Sequence, residues 1–300
     1  MKNYIGIDLG GTNVRVAKIS EDGKVLQEIK SESYGMQGPE IVINNIVKLI
    51  KQIDNYTEVN GIGIGVPGPV DTINGVMKMS TNLKGFTDYP LAKVISETLN
   101  IPTYIDNDAN VAGLAEALVG AGKGLPVVYY ATVSTGIGGA LIVNGKVVSG
   151  SNGYAGEIGN IIVKDNGDKV NMLNCGAVEN EASGTALTRK AQALYPENTI
   201  NSAIDIFNKV RENDPIAINL CKQMSKDLAR VFSTIAHVVD PYIFVIGGGM
   251  MNAQDIFMDD MKKEYNNLVH IGMRNPVFTR AQLDEPGIIG AAMLPKSMGR

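Results

Sequence analysis

Two stretches of this chain are written on one plan. Residues 4–28 read YIGIDLGGTNVRVAKISEDGKVLQE, and residues 127–150 read VVYYATVSTGIGGALIVNGKVVSG. In each, an apolar run gives way to a glycine turn, a second apolar run follows, and an x-G-K-V turn leads into a third. A strand–turn–strand–turn–strand unit used twice predicts two similar halves facing one another across a cleft. Any β-meander with glycine turns shares this plan, so the repeat speaks to architecture and leaves chemistry open.

The spaces between these units carry helical signals. Pro39 opens a stripe of Val42, Ile46, Leu49, Ile50 and Ile53 at helical spacing. VNGIGIGVPG reads as a buried strand running into a Gly/Pro loop. IPTYIDNDANVAGLAEALVGAG reads as a strand over 102–106 passing directly into a helix. A long helix begins with Asp214 as N-cap and Pro215 in its first position. Its stripe is Leu220, Met224, Leu228, Val231, Phe232 and Ile235, and Asp240-Pro241 stops it. YIFVIGGGMM is a buried strand ending in three glycines, and EPGIIGAAML predicts a last helix over about 286–297. Strands alternating with helices imply an α/β fold, with a boundary near Gly120–Gly124.

Composition narrows the function classes. With 300 residues, 44% of them hydrophobic, two domains are expected. A net charge of −4 provides no attraction for nucleic acid or an acidic membrane surface. No uninterrupted apolar run is long enough to span a bilayer, and MKNYIGIDLG is not a signal peptide. Two cysteines, Cys175 and Cys221, suggest a reducing, cytoplasmic setting rather than a disulfide framework.

Four glycine turns follow buried strands: DLGGT (8–12), GVPGP (65–69), STGIGG (134–139) and GGGM (247–250). Without a Cβ, such turns bring backbone N–H groups close to an anion. Four of them, two with Ser or Thr hydroxyls, point to a polyphosphate. No G-x-x-x-x-G-K-[ST] loop is present, and the glycines at 61, 63 and 65 lie within a strand rather than opening a helix, so neither P-loop nor dinucleotide fingerprint applies.

DLGGTNVRVA, STGIGGALIVNG and VIGGGM resemble the two phosphate segments and the adenosine segment of actin/hexokinase-type ATPases. More narrowly, GIDLGGT, GIGVPGPVD, NLKGF, IDNDANVAGLAE, STGIGGALIVNG, GYAGEIGN, VENEASG and VIGGG, in this order, resemble the ROK family (repressors, open reading frames, kinases). The resemblance implies an α/β chain of two actin-like, ribonuclease H-like domains flanking a nucleotide/sugar cleft. Residues 1–120 plus a C-terminal helix at about 286–300 would form the smaller sugar/phosphate domain. Residues 121–285 would form the larger nucleotide-binding and dimerisation domain of a homodimer.

It implies ATP- and Mg²⁺-dependent phosphorylation of a hexose at its 6-hydroxyl, with glucose as the first candidate and N-acetylmannosamine, a β-glucoside or fructose as alternatives. Asp108 would be the general base. Asn82, Asn107, Asp108, Glu157, Asn160 and Glu179 would meet the sugar. Asp8, Gly10, Gly11, Thr12, Thr135, Gly136, Gly138 and Gly139 would surround the phosphates, with Asp8 reaching Mg²⁺ through water. Gly247, Gly248 and Gly249 would line the adenosine pocket. Taken singly, Asp108 also suits a helix N-terminus, and Glu157 or Glu179 a solvent-facing loop.

The chain departs from the family pattern at one place. Where most ROK kinases carry E-x-G-H and a three-cysteine zinc motif, the positions here are Asn160, Val170, Met172 and Ala177, and Cys175 falls on a non-ligand position. His237 and His270 lie far away in sequence. No zinc is expected, and packing of Val170, Met172, Leu173 and Val178 is expected to hold the loop instead. Zinc-less relatives include some N-acetylmannosamine kinases. Two other classes fit the chain less well. A sugar-sensing repressor needs an N-terminal helix-turn-helix, whereas here the first phosphate turn begins by residue 8. A silent sugar-binding protein has no use for Asp8, Thr12 and Asp108.

Overall fold

The computed structural model describes residues 2–298, so the last two positions of the helix expected over 286–300 lie outside the described residues. The chain divides into two compact units. One comprises Met1–Tyr130, Ala140–Gly156 and Ala281–Arg300, the other Ala131–Gly139 and Glu157–Arg280.

The first unit opens with β1 (Asn3–Leu9), β2 (Asn13–Ser20) and β3 (Val25–Glu32), an antiparallel meander made by the GGT and EDGK turns. Helix α1 (Pro39–Ile50) leads to β4 (Ile62–Val66), then the short pair β5 (Val70–Asp71) and β6 (Val76–Met77), helix α2 (Leu91–Leu99), β7 (Thr103–Asn107) and α3 (Asp108–Leu118). The sheet order is β3-β2-β1-β4-β7. β1, β4 and β7 are parallel, with Asp8 opposite Gly65 and Gly65 opposite Asp106. Their side chains are buried on both faces, as parallel strands covered by helices require; Ile5, Ile7, Ile62, Ile64 and Val66 are wholly inaccessible.

The second repeat forms β8 (Val127–Val133), β9 (Ile137–Val143) and β10 (Lys146–Val147). The third strand is only two residues long. After one further backbone bond from Val148 to Leu141, Gly150 at φ +72° turns the chain away.

The second meander's strands are shared between the units, and the second unit also contains α4 (Val178–Ala182), α5 (Gly184–Gln192), α6 (Ala203–Arg211), α7 (Pro215–Val239), β11 (Ile243–Gly247), α8 (Gln254–Leu268) and β12 (Phe278–Arg280); the last helix is α9 (Pro286–Ser297). The second sheet runs β10-β9-β8-β11-β12. Phe232 of α7, Tyr265 of α8, Phe244 and Phe278 form an aromatic cluster, with Phe244 and Phe278 stacked at 4.9 Å. Among the described residues no helix is long and apolar enough to cross a membrane.

Helix α9 belongs to the first unit, where it lies on β1, β4 and α3. It is apolar all round and buries Ile288, Ile289, Met293 and Leu294. Its seat depends on glycine: a Cβ on Gly63 would stand 1.8 Å from the Ala291 carbonyl, and one on Gly290 would stand 1.6 Å from that of Val111. The buried Glu116 carboxylate fastens the segment before α9 to α3, accepting backbone N–H bonds from Ala121, Gln282 and Leu283 at 2.8–2.9 Å.

The expectation that apolar packing holds the loop after Asn160 fails. Met172 is 95% exposed, Val170 and Leu173 are only half-buried, and of the four residues only Val178 is buried. The segment is held by polar groups instead, because α4 places Asn180 and Glu181, not apolar side chains, beneath it.

Candidate active site

In the first unit, the site begins where β1 ends. Gly10 donates its N–H to the Asn13 carbonyl at 2.9 Å, closing the GGT turn, and the Thr12 carbonyl accepts from Ser33 at 2.8 Å. A Cβ on Gly11 would lie 2.9 Å from the Asn82 backbone oxygen, so the turn and the NLKGF segment are in direct apposition. Asp8, beside this turn, has a half-buried carboxylate. Burial raises its pKa, Arg15 lowers it, and the Glu285 charge raises it. Arg15 stands 4.0 Å from Asp8 but is engaged more closely by Glu28 at 2.8 Å and by Glu285. This Arg15 brace was not read from the sequence. Its only signal is an arginine flanked by two valines in β2, and Glu285 lies 270 positions away.

β7 delivers the second carboxylate. Asn107 is the N-cap of α3: its oxygen accepts from Ala109 at 2.9 Å and its amide donates to the Gly68 carbonyl at 3.1 Å. The side chain expected to meet a sugar therefore also ties α3 to the GVPGP loop. Asp108 follows, accepting from the Ala109 N–H at 2.8 Å. Its tip reaches solvent, yet it sits among crowding protein atoms. That desolvation holds its carboxyl above the usual range, helped by the charge on Asp8 and opposed by the Ala109 N–H. Asp106, facing inward, is pushed up to about 6 by burial, with Asn110, the Asn107 N–H and Ser149 acting in the opposite direction.

In the second unit, the turn after β8 is closed by Ser134 N–H to the Gly136 carbonyl at 2.9 Å. Glu179 on α4 accepts from the Ile137 N–H at 2.8 Å, and a Cβ on Gly136 would stand 2.6 Å from its carboxylate. The Gly159 N–H donates to Glu157 at 3.2 Å, and the Gly159 carbonyl accepts from the Glu179 N–H at 3.1 Å. Thr135, Gly136, Glu157 and Glu179 are thus brought together. Asn160 points elsewhere: its side-chain oxygen accepts from the Asn174 N–H at 2.6 Å. Gly138 and Gly139 lie on β9. Gly247 ends β11, and Gly248, at φ +93°, leaves no room for a Cβ beside the Val133 carbonyl.

A cavity of about 740 Å³ opens within this unit. At one end are Ser134, Thr135, Gly184, Thr185 and Gly249; elsewhere Ile204, Phe207 and Met250 give it apolar walls, with Gln192, Asn201 and Arg211 as polar groups. The N-terminus of α5 starts at this wall, with Gly184 N–H donating to the Ser134 carbonyl at 2.8 Å. A smaller cavity of about 250 Å³ shares Thr135, Thr185 and Arg189 and adds Gly136 and Glu179. The contribution of A-S-G-T at 182–185, where Ser183 caps α5 and Gly184 opens it, was missed. Among the described residues no group of three or more His, Cys, Asp or Glu is arranged to hold a metal ion.

Two sheets of mixed α/β architecture, each ending in glycine turns, define an actin-like ATPase fold. The sequence matches the ROK family over residues 4–298, and the chain belongs to that family. A glucokinase from Thermotoga maritima is 30% identical over 97% of this chain and 96% of its own. An N-acetylmannosamine kinase from Escherichia coli is 29% identical over 82% of each. Among solved structures, a ROK hexokinase from Thermus thermophilus aligns with a TM-score of 0.87 and 29% identity, covering 97% of both chains. A ROK family glucokinase from Streptomyces griseus, in complex with glucose and AMPPNP, aligns with a TM-score of 0.77 and 27% identity over 97% of this chain and 98% of that one.

Proposed function

We propose that the protein transfers the γ-phosphoryl group of ATP to the 6-hydroxyl of a hexose, glucose being the first candidate and N-acetylmannosamine the second. The observation that carries this reading is the pair Asp8 and Asp108. β1 and β7 run parallel on either side of β4, so both carboxylates stand at the carboxyl edge of one sheet, where open α/β sheets bind ligands.

Asp108 is the general base. As the sugar oxygen attacks the γ-phosphorus, Asp108 takes its proton, the bond from phosphorus to the bridging oxygen of ADP breaks, and the proton later passes to water. The ordered Ala109 N–H bond fixes one carboxylate oxygen. Asp8 suits a Mg²⁺ ion held through water. Its side chain is 37% exposed, and the nearby Arg15 is engaged mainly by Glu28 and Glu285, so the carboxylate is not consumed in an ion pair. When bound, Mg²⁺ neutralises phosphate charge.

The first unit contributes Gly10, Gly11 and Thr12 to phosphate binding and Asn82 and Asn107 to sugar binding. In the second, the hydroxyls of the Ser134–Thr135 turn favour an anion, and the apolar part of the cavity suits a nucleoside. Gly138, Gly139 and the Gly247–Gly249 turn belong to the same nucleotide site. Glu157 and Glu179 accept from sugar hydroxyls, and Asn160, turned towards Asn174, contributes less. Zinc plays no part. The protein works as a cytoplasmic homodimer; its two cysteines, both unpaired, suit a reducing compartment.

The test is a panel of sugars in an assay coupled to ADP release. We expect turnover with glucose or N-acetylmannosamine, and product carrying phosphate on O6. Absence of turnover with every hexose and amino sugar would remove the kinase reading.

A further inference from the structure

The segment after Asn160 has little apolar anchorage, yet it leads directly into the helix that carries Glu179. Its hold lies in charges. The Glu181 side chain is completely buried; one oxygen accepts from the Asp168 N–H at 2.6 Å and the other meets Lys190 at 2.5 Å and Lys164 at 3.6 Å. Lys190 also donates to the Glu181 carbonyl at 2.9 Å. Asp168 is held a second time through its carboxylate, which pairs with Arg189 at 2.6 Å, and a third time through its carbonyl, which accepts from Gly176 at 3.0 Å. Asn180, also buried, turns its amide towards the carbonyls of Asp168, Val170 and Asn174 at 3.3–3.4 Å.

We propose that Glu181 is a positioning residue: with Lys190 it grips Asp168, braces residues 165–176 onto α4, and so fixes the Glu179 carboxylate beside the Ser134–Gly136 turn without a metal ion. A buried carboxylate is costly unless paired and hydrogen-bonded. Here one of its partners is a backbone N–H of the loop itself. Lifting the loop leaves one oxygen of a buried carboxylate without its hydrogen bond, and that is what makes the brace a lock. Glu179 and Glu181 share one turn of α4, so a shift of that turn moves the Glu179 carboxylate off the Ile137 N–H. Only the kinetic arm of the test rests on the sugar-kinase reading.

The experiment is hydrogen–deuterium exchange of the full-length protein, without ligand, as wild type, Glu181→Ala and Glu181→Gln. Amides of 165–176 in Glu181→Ala are expected to exchange about tenfold faster or more, with α7 unchanged. Glu181→Gln keeps an acceptor for the Asp168 N–H and should restore part of the protection. Steady-state kinetics should show the sugar KM raised about tenfold in Glu181→Ala while kcat and the nucleotide KM stay within about twofold.

Unchanged loop exchange in a folded Glu181→Ala protein overturns the proposal. So does wild-type loop exchange that quickens when a chelator is added. Should Glu181→Ala not fold, Glu181→Gln decides, since it keeps the side-chain volume but removes the charge that Lys190 meets at 2.5 Å; loop exchange equal to wild type there also overturns it. Faster loop exchange in a protein that phosphorylates no sugar supports the brace and removes the kinase reading instead.

Discussion

Asp106 and Asp108 are two residues apart and face different surroundings. Asp108 acts as a base only when ionised. Its carboxyl is held above the ordinary range by desolvation and by Asp8, so kcat/KM should fall as pH drops through that raised value, at a higher pH than for an exposed aspartate. Asp108→Asn should lower kcat by about 10²–10⁴-fold, while sugar affinity measured by calorimetry changes little. Activity equal to wild type would show that another group takes the proton. Asp106 makes a different prediction. Its folded-state pKa is raised from 3.8 to about 6, so the folded protein retains a proton that the unfolded chain releases. Stability therefore falls as pH rises between those values, and the cost is complete above pH 6. Asp106→Asn should stabilise the protein by about 3 kcal/mol at pH 8 and by nothing near pH 3, read by urea unfolding.

At the scale of the element, α7 depends on its first turn. Asp214 accepts from the N–H groups of Ile216 and Ala217 at 2.9 and 3.0 Å and from the Tyr195 hydroxyl at 2.6 Å. Asp214→Ala should cost about 1–2 kcal/mol in urea unfolding. Tyr195, pushed up to about 12 by burial and then by its bond to Asp214, should also titrate at lower pH in the variant, followed by its ultraviolet absorbance. An unchanged tyrosine titration would mean that burial alone holds it. Asp214-Pro215 was legible because a cap and a first-turn proline act on neighbouring residues. Helix α8 was not read: only Phe257, Met258, Met261 and Tyr265 of QDIFMDDMKKEYNNL are buried, and its polar surface hides the stripe. Helix α4, at five residues, is too short to have a period.

At the scale of the whole molecule, the segment after Asn160 is held by carboxylates, amides and lysine. Chelator-washed protein should contain no stoichiometric zinc by elemental analysis, and its thermal midpoint should not move when a chelator is added. Stoichiometric zinc with a chelator-sensitive midpoint would return the loop to metal control. The expectation of no cysteine ligation there rests on residue type alone, because Val170, Met172 and Ala177 carry no thiol. The sequence misjudged which residues hold the segment, because whether Met172 or Glu181 faces inward depends on how α4 packs, not on how apolar each residue is.

The two meanders, the glycine turns at strand ends, the long helix, the last helix and the two aspartates at strand termini are encoded locally. Each of these follows from neighbours along the chain: a turn residue, a cap, or a period. The tertiary structure alone decided that Arg15 is braced by Glu285, that Glu116 fastens residues 282–283, that Asn160 turns to Asn174, and that Asp168 is gripped by Glu181 and Arg189. The physical reason is that a charge or amide accepts almost any complementary partner. Which one it meets is settled by packing, and no local pattern encodes it.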